Sequence, residues 1–358
     1  MATITAGTRN SLFLDEDGNL WHCGFSTRSD IGQESPFKWK PVELEGIQLV
    51  SVHTNGVEFF FIDKEKCLWA SGQLEGTKRL HQMKELGKVE SVATSLLHSL
   101  LLDAEGGVLS YGNGTHGQLG SGKHASASYV PQIVPNLPKI KTVAAGTYHS
   151  LFLDREGGVW TCGSNTFGEL GLGDTSMRFA PEKITNLPSI YLLVAGSHHS
   201  LFLDESGGVW GCGHNTKGQI GCGASRRFVL SPEKIDVISE IQDIATGNCH
   251  SLYLDQHGTV WGSGLNDSSQ LGTESDGCVL LPEQISQLPK IQAIFCGEEH
   301  SLFLDHQNYL WGCGANAFGQ LLGVQDDVLS APKKLNIPRI MLPNKTRGLR
   351  VKSARNII

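Results

Sequence analysis

The chain has 358 residues and a formal net charge of −7 at pH 7, with hydrophobic residues making up 39%. An acidic chain of this kind has no broad positive field, so we expect no binding of nucleic acid across a wide surface. Its richest apolar run, residues 190–195, is far shorter than the roughly 20 residues that span a bilayer, so no membrane crossing is expected.

The N-terminal residues 1–7 show no signal-peptide pattern. Nine cysteines are present, and four of them occupy one repeated position, where they are typical of small buried residues: Cys23, Cys162, Cys212 and Cys313. This use of cysteine indicates free thiols in a reducing compartment rather than a framework of disulfide bonds. We therefore expect an intracellular, cytoplasmic protein, with a nuclear location left open.

One sequence motif occurs seven times along the chain. Its aspartate marks the spacing of the repeats: Asp15, Asp63, Asp103, Asp154, Asp204, Asp255 and Asp305. The last five aspartates lie 50 or 51 residues apart. A period near 50 residues that fills the chain is typical of a solenoid or a propeller, which overrides the several domains that length alone favours. We predict a single domain over residues 1–342.

The repeat at residues 140–189 predicts four strands. Short apolar segments at 141–145, 149–154 and 157–162 are separated by glycine-containing turns, and a last segment at 181–184 follows a long loop. Four strands in about 50 residues match a propeller blade, whose two faces must both be buried against neighbouring blades. The predicted fold is therefore an all-β, seven-bladed β-propeller.

Two recurring side chains of this repeat are expected to be structural. A tryptophan follows six residues after most of the aspartates, and we expect it to fill the gap between blades rather than to form a binding box: Trp21, Trp69, Trp160, Trp210, Trp261 and Trp311. The aspartates themselves precede a glycine-containing turn, where Asp caps the turn backbone.

The two ends of the repeat region complement one another. Residues 3–7 lack the Leu-Pro lead-in that precedes the other repeats, while residues 336–340 carry an unused one. Pairing of the N- and C-terminal segments is therefore expected to close the ring. Residues 343–358 form a basic tail that we expect to be flexible, and its use as a localisation signal or a linker stays open.

The repeated Gly-x-x-His, Leu-Asp-x-x-Gly and Gly-Gln-Leu-Gly motifs, the last at residues 117–120 with variants at 168–171 and 218–221, resemble the regulator of chromosome condensation repeat family. The resemblance covers about residues 3–340 and implies a seven-bladed propeller. Members of that family serve as exchange factors for the GTPase Ran, as recruiting domains of large ubiquitin ligases, as a plant photoreceptor and as bacterial effectors, so the resemblance implies fold more than function.

No catalytic, cofactor-binding or metal-binding residue is predicted. Five histidines form a ring, but equivalent positions of a large ring are too far apart to share one ion, and we expect each to be satisfied by a hydrogen bond within its own blade: His98, His149, His199, His250 and His300. The glycine-rich stretch at 112–123 resembles phosphate-binding loops, but no helix follows it.

Function is expected where the repeats differ, above all at the two residues between the Gly and the His of each repeat. These positions supply the candidate partner-binding residues Arg9, Leu96, Leu97, Tyr148, His198, Glu298 and Glu299. Solvated loop residues are the alternative interpretation. The second repeat is about ten residues short and lacks the Gly-Gln-Leu-Gly loop, so Lys78 and Arg79 in its place are further candidates.

The sequence therefore predicts a monomeric, non-enzymatic propeller that binds another protein. By resemblance, the favoured partner is a small GTPase or its regulators, with guanine nucleotide exchange through differential binding. An adaptor that recruits clients to a ubiquitin ligase or a cytoskeletal or trafficking assembly is the alternative. An enzyme with a site in the central channel is a third hypothesis.

Overall fold

The computed structural model describes residues 3–15, 18–25, 40–42, 47–55, 58–71, 81–124, 126–223, 226–321, 326–336 and 352–353. These residues form seven sheets, each with four antiparallel strands that follow one another in the chain, and the first sheet adds a fifth, parallel strand. Adjacent innermost strands contact one another around a ring, and the ring closes where the first contacts the last. The fold is a seven-bladed β-propeller, as predicted, and the described residues contain no helix.

The strands of each blade are numbered from the central axis outward. Blades 1 to 3 contain β1 (Thr3–Ala6), β2 (Asn10–Leu14), β3 (Leu20–Gly24), β4 (Lys40–Val42), β5 (Leu49–Thr54), β6 (Phe59–Asp63), β7 (Leu68–Ser71), β8 (His81–Gln82), β9 (Val89–Thr94), β10 (His98–Asp103), β11 (Val108–Asn113) and β12 (Ala127–Ile133). Blades 4 and 5 contain β13 (Ile140–Ala145), β14 (His149–Asp154), β15 (Val159–Gly163), β16 (Arg178–Lys183), β17 (Ile190–Ala195), β18 (His199–Asp204), β19 (Val209–His214) and β20 (Phe228–Lys234). Blades 6 and 7 contain β21 (Ile241–Thr246), β22 (His250–Asp255), β23 (Val260–Leu265), β24 (Cys278–Gln284), β25 (Ile291–Cys296), β26 (His300–Asp305), β27 (Leu310–Ala315) and β28 (Val328–Lys334).

A short strand, β29 (Lys352–Ser353), runs parallel to β1, with Thr3 opposite Lys352. This pairing is compatible with closure of the ring by the two terminal segments. The lead-in that we predicted for that role falls largely at residues 337–340, which lie outside the described residues, as does most of the basic tail.

The hydrophobic core lies in the seams between blades. In the blade 1–2 seam, for example, Leu12, Leu14 and Leu20 pack against Phe59 and Phe61, all nearly inaccessible to solvent. Fully burying one such side chain contributes about 1.5 to 3 kcal/mol, so the ring is stabilised mainly by contacts that no blade can make alone. Both faces of each sheet are apolar for this reason.

The aspartate of each repeat organises the turn between the second and third strands. Asp154 Oδ1 accepts the main-chain N–H groups of Glu156 at 3.0 Å and Gly158 at 2.7 Å, and its Oδ2 accepts Trp160 Nε1 at 3.0 Å. The predicted capping role is thus confirmed. The tryptophans are half-buried and pack against the edges of the core clusters, with the indole N–H held by the aspartate.

The connections alternate between two rims, because successive strands of each sheet are antiparallel. We call the rim that carries the Gly-x-x-His loops the histidine rim. The long loops between the third and fourth strands of each blade lie on the same rim. The aspartate turns and the links between blades lie on the opposite rim, here called the aspartate rim.

Candidate functional site

A hydrogen-bonded latch joins adjacent blades below the histidine rim. The histidine Nε2 of one blade lies 2.8 to 3.2 Å from the serine Oγ of the next, in the pairs His98–Ser150, His149–Ser200, His199–Ser251, His250–Ser301 and His300–Ser11. Our expectation of a hydrogen bond within each blade was therefore wrong for Nε2. In the first four pairs the partner serine lies 51 or 52 residues away in sequence, and in His300–Ser11 it lies 289 residues away, so no local pattern identifies it.

The protonation state of the latch follows from its donors. Ser200 Oγ donates its single proton to the main-chain carbonyl of Glu169 at 2.7 Å, so it must accept from His149, whose Nε2 then carries the hydrogen. Burial lowers the pKa of His149 to about 4, which keeps the ring neutral at pH 7. A Cβ on Gly146 would lie 2.2 Å from His149 Cε1, so glycine is required beneath this ring.

Blade 2 interrupts the latch. Glu58 takes the histidine position and Phe59 takes the serine position, so the described residues form no latch at the seams on either side of this blade. Burial raises the pKa of Glu58, opposed by a side-chain hydrogen bond with Asn55. The second candidate patch, Lys78 and Arg79, lies outside the described residues.

Five of the seven candidate residues of the histidine rim form two groups. Arg9 is exposed, and its guanidinium Cζ lies 4.5 Å from the ring centre of Phe318, which projects from blade 7. Burial raises the pKa of Glu298, as does the neighbouring Glu299, while Arg9 lowers it, so these three side chains are close in space. Blades 7 and 1 thus bring together residues that the chain separates by nearly its whole length.

Tyr148 and His198 form the second group, in blades 4 and 5. Their rings are stacked, with centres 5.7 Å apart and an angle of 21° between the planes. Leu96, in blade 3, is 51% exposed, whereas Leu97 is half-buried. Both leucines lie on the histidine rim, in the loop between β9 and β10.

Tyr148 and His198 belong to a longer row of rings, the aromatic strip, which sequence reasoning missed. Neighbouring ring centres lie 4.7 to 5.7 Å apart along the six members His116, Tyr148, His198, Phe167, His214 and Phe228. Four of the six come from the loops or strand ends between the third and fourth strands of blades 3, 4 and 5. All six rings are at least partly exposed, and Phe228 is 41% exposed.

A buried carboxylate lies beneath the aromatic strip. Glu169 accepts hydrogen bonds from Ser164 Oγ and from the N–H of Phe167, both at 2.8 Å, and its Oε1 lies 3.9 Å from His198 Nδ1. Burial raises the pKa of Glu169, but hydrogen bonds and nearby histidines outweigh it, so the net shift is downward. Glutamine stands at this position in four other repeats, a sequence signal that could have marked blade 4.

Charge is unevenly distributed around the histidine rim. The long loops of blades 3 and 5 contain lysine, arginine and histidine but no carboxylate. Blades 6 and 7 carry an opposite set, here called the acidic sector, formed by Asp267, Glu274, Asp276, Glu298, Glu299, Asp326 and Asp327. The rim therefore has a cationic and aromatic side facing blades 3 to 5 and an anionic side on blades 6 and 7.

Metal binding and membrane insertion find no support in the part of the chain that the structure describes. No group of three or more His, Cys, Asp or Glu side chains there could hold a metal ion. No helix among those residues is long and apolar enough to cross a membrane.

The fold and its rim define the class of the protein, a seven-bladed propeller with chemically diverse loops on one rim. The Regulator of chromosome condensation (RCC1) repeat matches residues 105–153, 156–203, 206–254 and 257–304, and a second description of that repeat matches four segments between residues 140 and 320. The matched segments cover more than half of the chain. The chain belongs to the RCC1 repeat family.

Relatives within this family differ in what they do. Probable E3 ubiquitin-protein ligase HERC4 of Homo sapiens is 30% identical over 294 residues, 76% of this chain and 28% of the ligase. The chain thus spans about a quarter of that relative's length. The X-linked retinitis pigmentosa GTPase regulator homolog of Caenorhabditis elegans is 31% identical over 87 residues, 24% of this chain and 6% of the homolog.

A solved structure shares the architecture. Prp20p of Saccharomyces cerevisiae, studied for its binding to Gsp1p and histones, superposes with a TM-score of 0.77 over 93% of this chain and 88% of the yeast chain. The two sequences are 19% identical, so the likeness is one of fold.

Proposed function

We propose that this chain is a protein-binding propeller that uses its histidine rim to bind and regulate a small GTPase, as a guanine nucleotide exchange factor. One observation carries the proposal: the repeats share their buried framework and differ at the exposed rim. Arg9, Tyr148 and Glu299 project from equivalent loops yet have unrelated chemistry. A surface without pseudosymmetry suits an asymmetric partner.

The proposed activity needs no covalent chemistry from the propeller. An exchange factor binds the nucleotide-free GTPase more tightly than the nucleotide-bound form, so it accelerates GDP release by differential affinity alone. Family membership supports this role, because the family includes exchange factors, and one relative is a GTPase regulator homolog. The partner is proposed to contact the candidate rim residues, with Lys78 and Arg79 of blade 2 as a second contact.

Recruitment of clients to a ubiquitin ligase is the second candidate function. The relation to HERC4 favours it, because the match covers 76% of this chain, although it covers 28% of the ligase. An adaptor needs only to bind, and its affinity would not depend on the nucleotide state of any partner. The two functions therefore differ in a measurable property.

The test begins with capture of partners by the full chain from cell lysate, with and without EDTA, which strips Mg²⁺ and nucleotide from GTPases. The captured GTPase is then purified, loaded with fluorescent GDP and mixed with the propeller. Faster GDP release, lost in an R9A/Y148A/E298A/E299A variant, supports exchange. A partner that binds regardless of EDTA and shows no change in nucleotide release supports the adaptor.

The control is a matched variant on the aspartate rim, R155A/E156A/Y191A/E205A. It removes the same set of four residues, an arginine, a tyrosine and two glutamates, from exposed positions. The control variant is expected to accelerate GDP release as the unmodified chain does. Equal loss of activity in both variants would contradict a role for the histidine rim. A K78A/R79A variant tests the blade 2 contact separately.

A further inference from the structure

The charges around the aromatic strip are mostly of one sign. Lys217 and Arg227 are exposed, belong to the blade 5 loop, and both lower the pKa of the strip residue His214 electrostatically, after the larger effect of burial. Neither cation takes part in an ion pair among the described residues. Both are therefore available to a ligand at the end of the strip where Phe228 lies.

The two carboxylates of the blade 4 loop are either buried or ion-paired. Glu169 is fully buried, and Asp174 in the same loop is held by Arg178 at 2.8 Å. The blade 3 end of the strip adds the exposed Lys123 and no carboxylate. The strip thus presents rings flanked by Lys217 and Arg227, two cations without an ion pair among the described residues, in a chain whose overall charge is −7.

We propose that the aromatic strip, with Lys217 and Arg227, docks an acidic segment of a protein partner. Aspartate or glutamate side chains of the segment pair with the two cations, while its apolar atoms cover the rings of Tyr148 and Phe228. Rigid aromatic side chains supply contact area at a small entropic cost, and complementary charges supply orientation. The inference rests on the proposed function in that it places a protein on this rim.

The acidic sector limits how far the docked segment can extend around the rim. Its carboxylates lie on blades 6 and 7, beside the blade 5 end of the strip, where they repel a segment that extends too far around the ring. The same repulsion disfavours a nucleic acid, because every phosphate of its backbone is negatively charged. A peptide, by contrast, can alternate acidic residues with uncharged ones. A peptide with both acidic and apolar residues matches the strip better.

The test uses the full chain and three fluorescent probes: a peptide of about twelve residues with repeating Glu-Glu-Leu, the same peptide with lysine in place of glutamate, and a single-stranded oligonucleotide of similar length. Fluorescence anisotropy gives the Kd of each at about 50 and about 200 mM salt. We expect the acidic peptide to bind at least about tenfold more tightly than either other probe, and more weakly at the higher salt.

Two charge-reversal variants place the site. K217E/R227E is expected to weaken binding of the acidic peptide at least about tenfold, and R155E/K290E, on the aspartate rim, is expected to leave it unchanged. All four residues are exposed, so both variants should fold, which circular dichroism checks. A Y148A/F228A variant tests the rings and is expected to weaken binding at both salt concentrations.

Several results would overturn the inference. These are equal or tighter binding of the basic peptide or the oligonucleotide, and acidic-peptide binding that K217E/R227E does not weaken. If the basic peptide binds and E298A/E299A removes it, the rim still recognises a protein segment, and only the chemistry assigned to the segment is wrong. Loss of GTPase or adaptor binding in the rim variants is measured separately, so failure of the proposed function is distinguishable.

Discussion

His149 Nε2 lies 2.9 Å from Ser200 Oγ of the next blade, and both side chains are fully buried. The serine in turn donates to the carbonyl of Glu169, whose side chain lies beneath the aromatic strip. The latch that holds blades 4 and 5 together therefore also fixes the loop that carries part of the candidate partner surface. Under the proposed function, the stability of the ring and the recognition of the partner both depend on this contact.

Removal of the latch hydroxyl should destabilise the fold. In S200A, the buried His149 Nε2 loses its acceptor and the Glu169 carbonyl loses a donor, so we expect the free energy of unfolding to fall by about 1 to 3 kcal/mol. S176A is the control, because that serine is exposed and should change stability by less than about 0.5 kcal/mol. Urea denaturation followed by tryptophan fluorescence measures both. Equal stability of the two variants would show that the latch contributes nothing.

The aspartate turn offers an internal comparison between two blades. Asp154 accepts two main-chain N–H groups and the indole N–H of Trp160, whereas Asp103 accepts only the N–H groups of Glu105 and Gly107, since leucine replaces the tryptophan in blade 3. We expect D154A to destabilise the fold by about 1 kcal/mol more than D103A, because Asp154 accepts one more hydrogen bond and its Oδ2 lies 3.8 Å from Lys183 Nζ, whose exposed ion pair adds little. Thermal unfolding of both variants shows which is less stable. A lower Tm for D103A than for D154A would contradict this prediction.

Acid should unfold the ring. Burial lowers the pKa of His98 and His250 to about 3, and of His149 and His300 to about 4, against 6.5 for the ordinary side chain. Below pH 6.5 the unfolded chain binds protons that the folded ring does not, so stability falls as pH falls. The loss is about 1.4 kcal/mol per pH unit for each histidine, from about pH 6.5 towards pH 4.

The pH dependence of Tm between pH 8 and pH 4 measures this effect. The unmodified chain should be nearly insensitive above pH 7 and lose stability steeply below pH 6.5. H149Q removes one titrating group. Below pH 6.5 its free energy of unfolding should therefore fall less steeply with pH, by the amount that corresponds to one proton. A flat profile from pH 6.5 to pH 5 would mean that the histidines are protonated within the folded ring.

Thiol reactivity should separate one cysteine from the buried set. Burial raises the pKa of Cys162, Cys212, Cys313 and Cys296, which are inaccessible, whereas Cys278 is exposed at the start of β24. We expect iodoacetamide to modify Cys278 first in the folded protein, and the buried four only after unfolding. Mass spectrometry of timed samples identifies the sites. Early modification of Cys162 would contradict its placement.

The fold could be predicted from the sequence because a repeat reports the same local structure seven times. The turn at Asp154 and the strand before it are local features, and the sequence identified both. The partner of His149 could not be predicted, because Ser200 belongs to the next repeat and the contact depends on how two blades pack. The prediction that each histidine finds its hydrogen-bond partner within its own blade was therefore wrong for Nε2.

The candidate site was predicted only in part for the same reason. Tyr148 and His198 were identified because they differ between equivalent positions of the repeat. Phe167 and Phe228 were missed, since their loops vary in length and sequence and nothing local indicates that blades 4 and 5 bring them together. The sequence shows glutamate at position 169 where four other repeats have glutamine. The effect of this difference could not be predicted, because it depends on the ring of His198, which lies close to Glu169 in the folded chain.

The most direct test of the central claim compares the two rims on one purified partner. Biolayer interferometry gives the Kd of the captured partner for the unmodified chain, for R9A/Y148A/E298A/E299A and for the matched R155A/E156A/Y191A/E205A. Partner binding through the histidine rim predicts a loss of at least about tenfold in the first variant and no change in the second. Loss of affinity in the aspartate-rim variant alone would place the partner on the opposite rim and contradict the account.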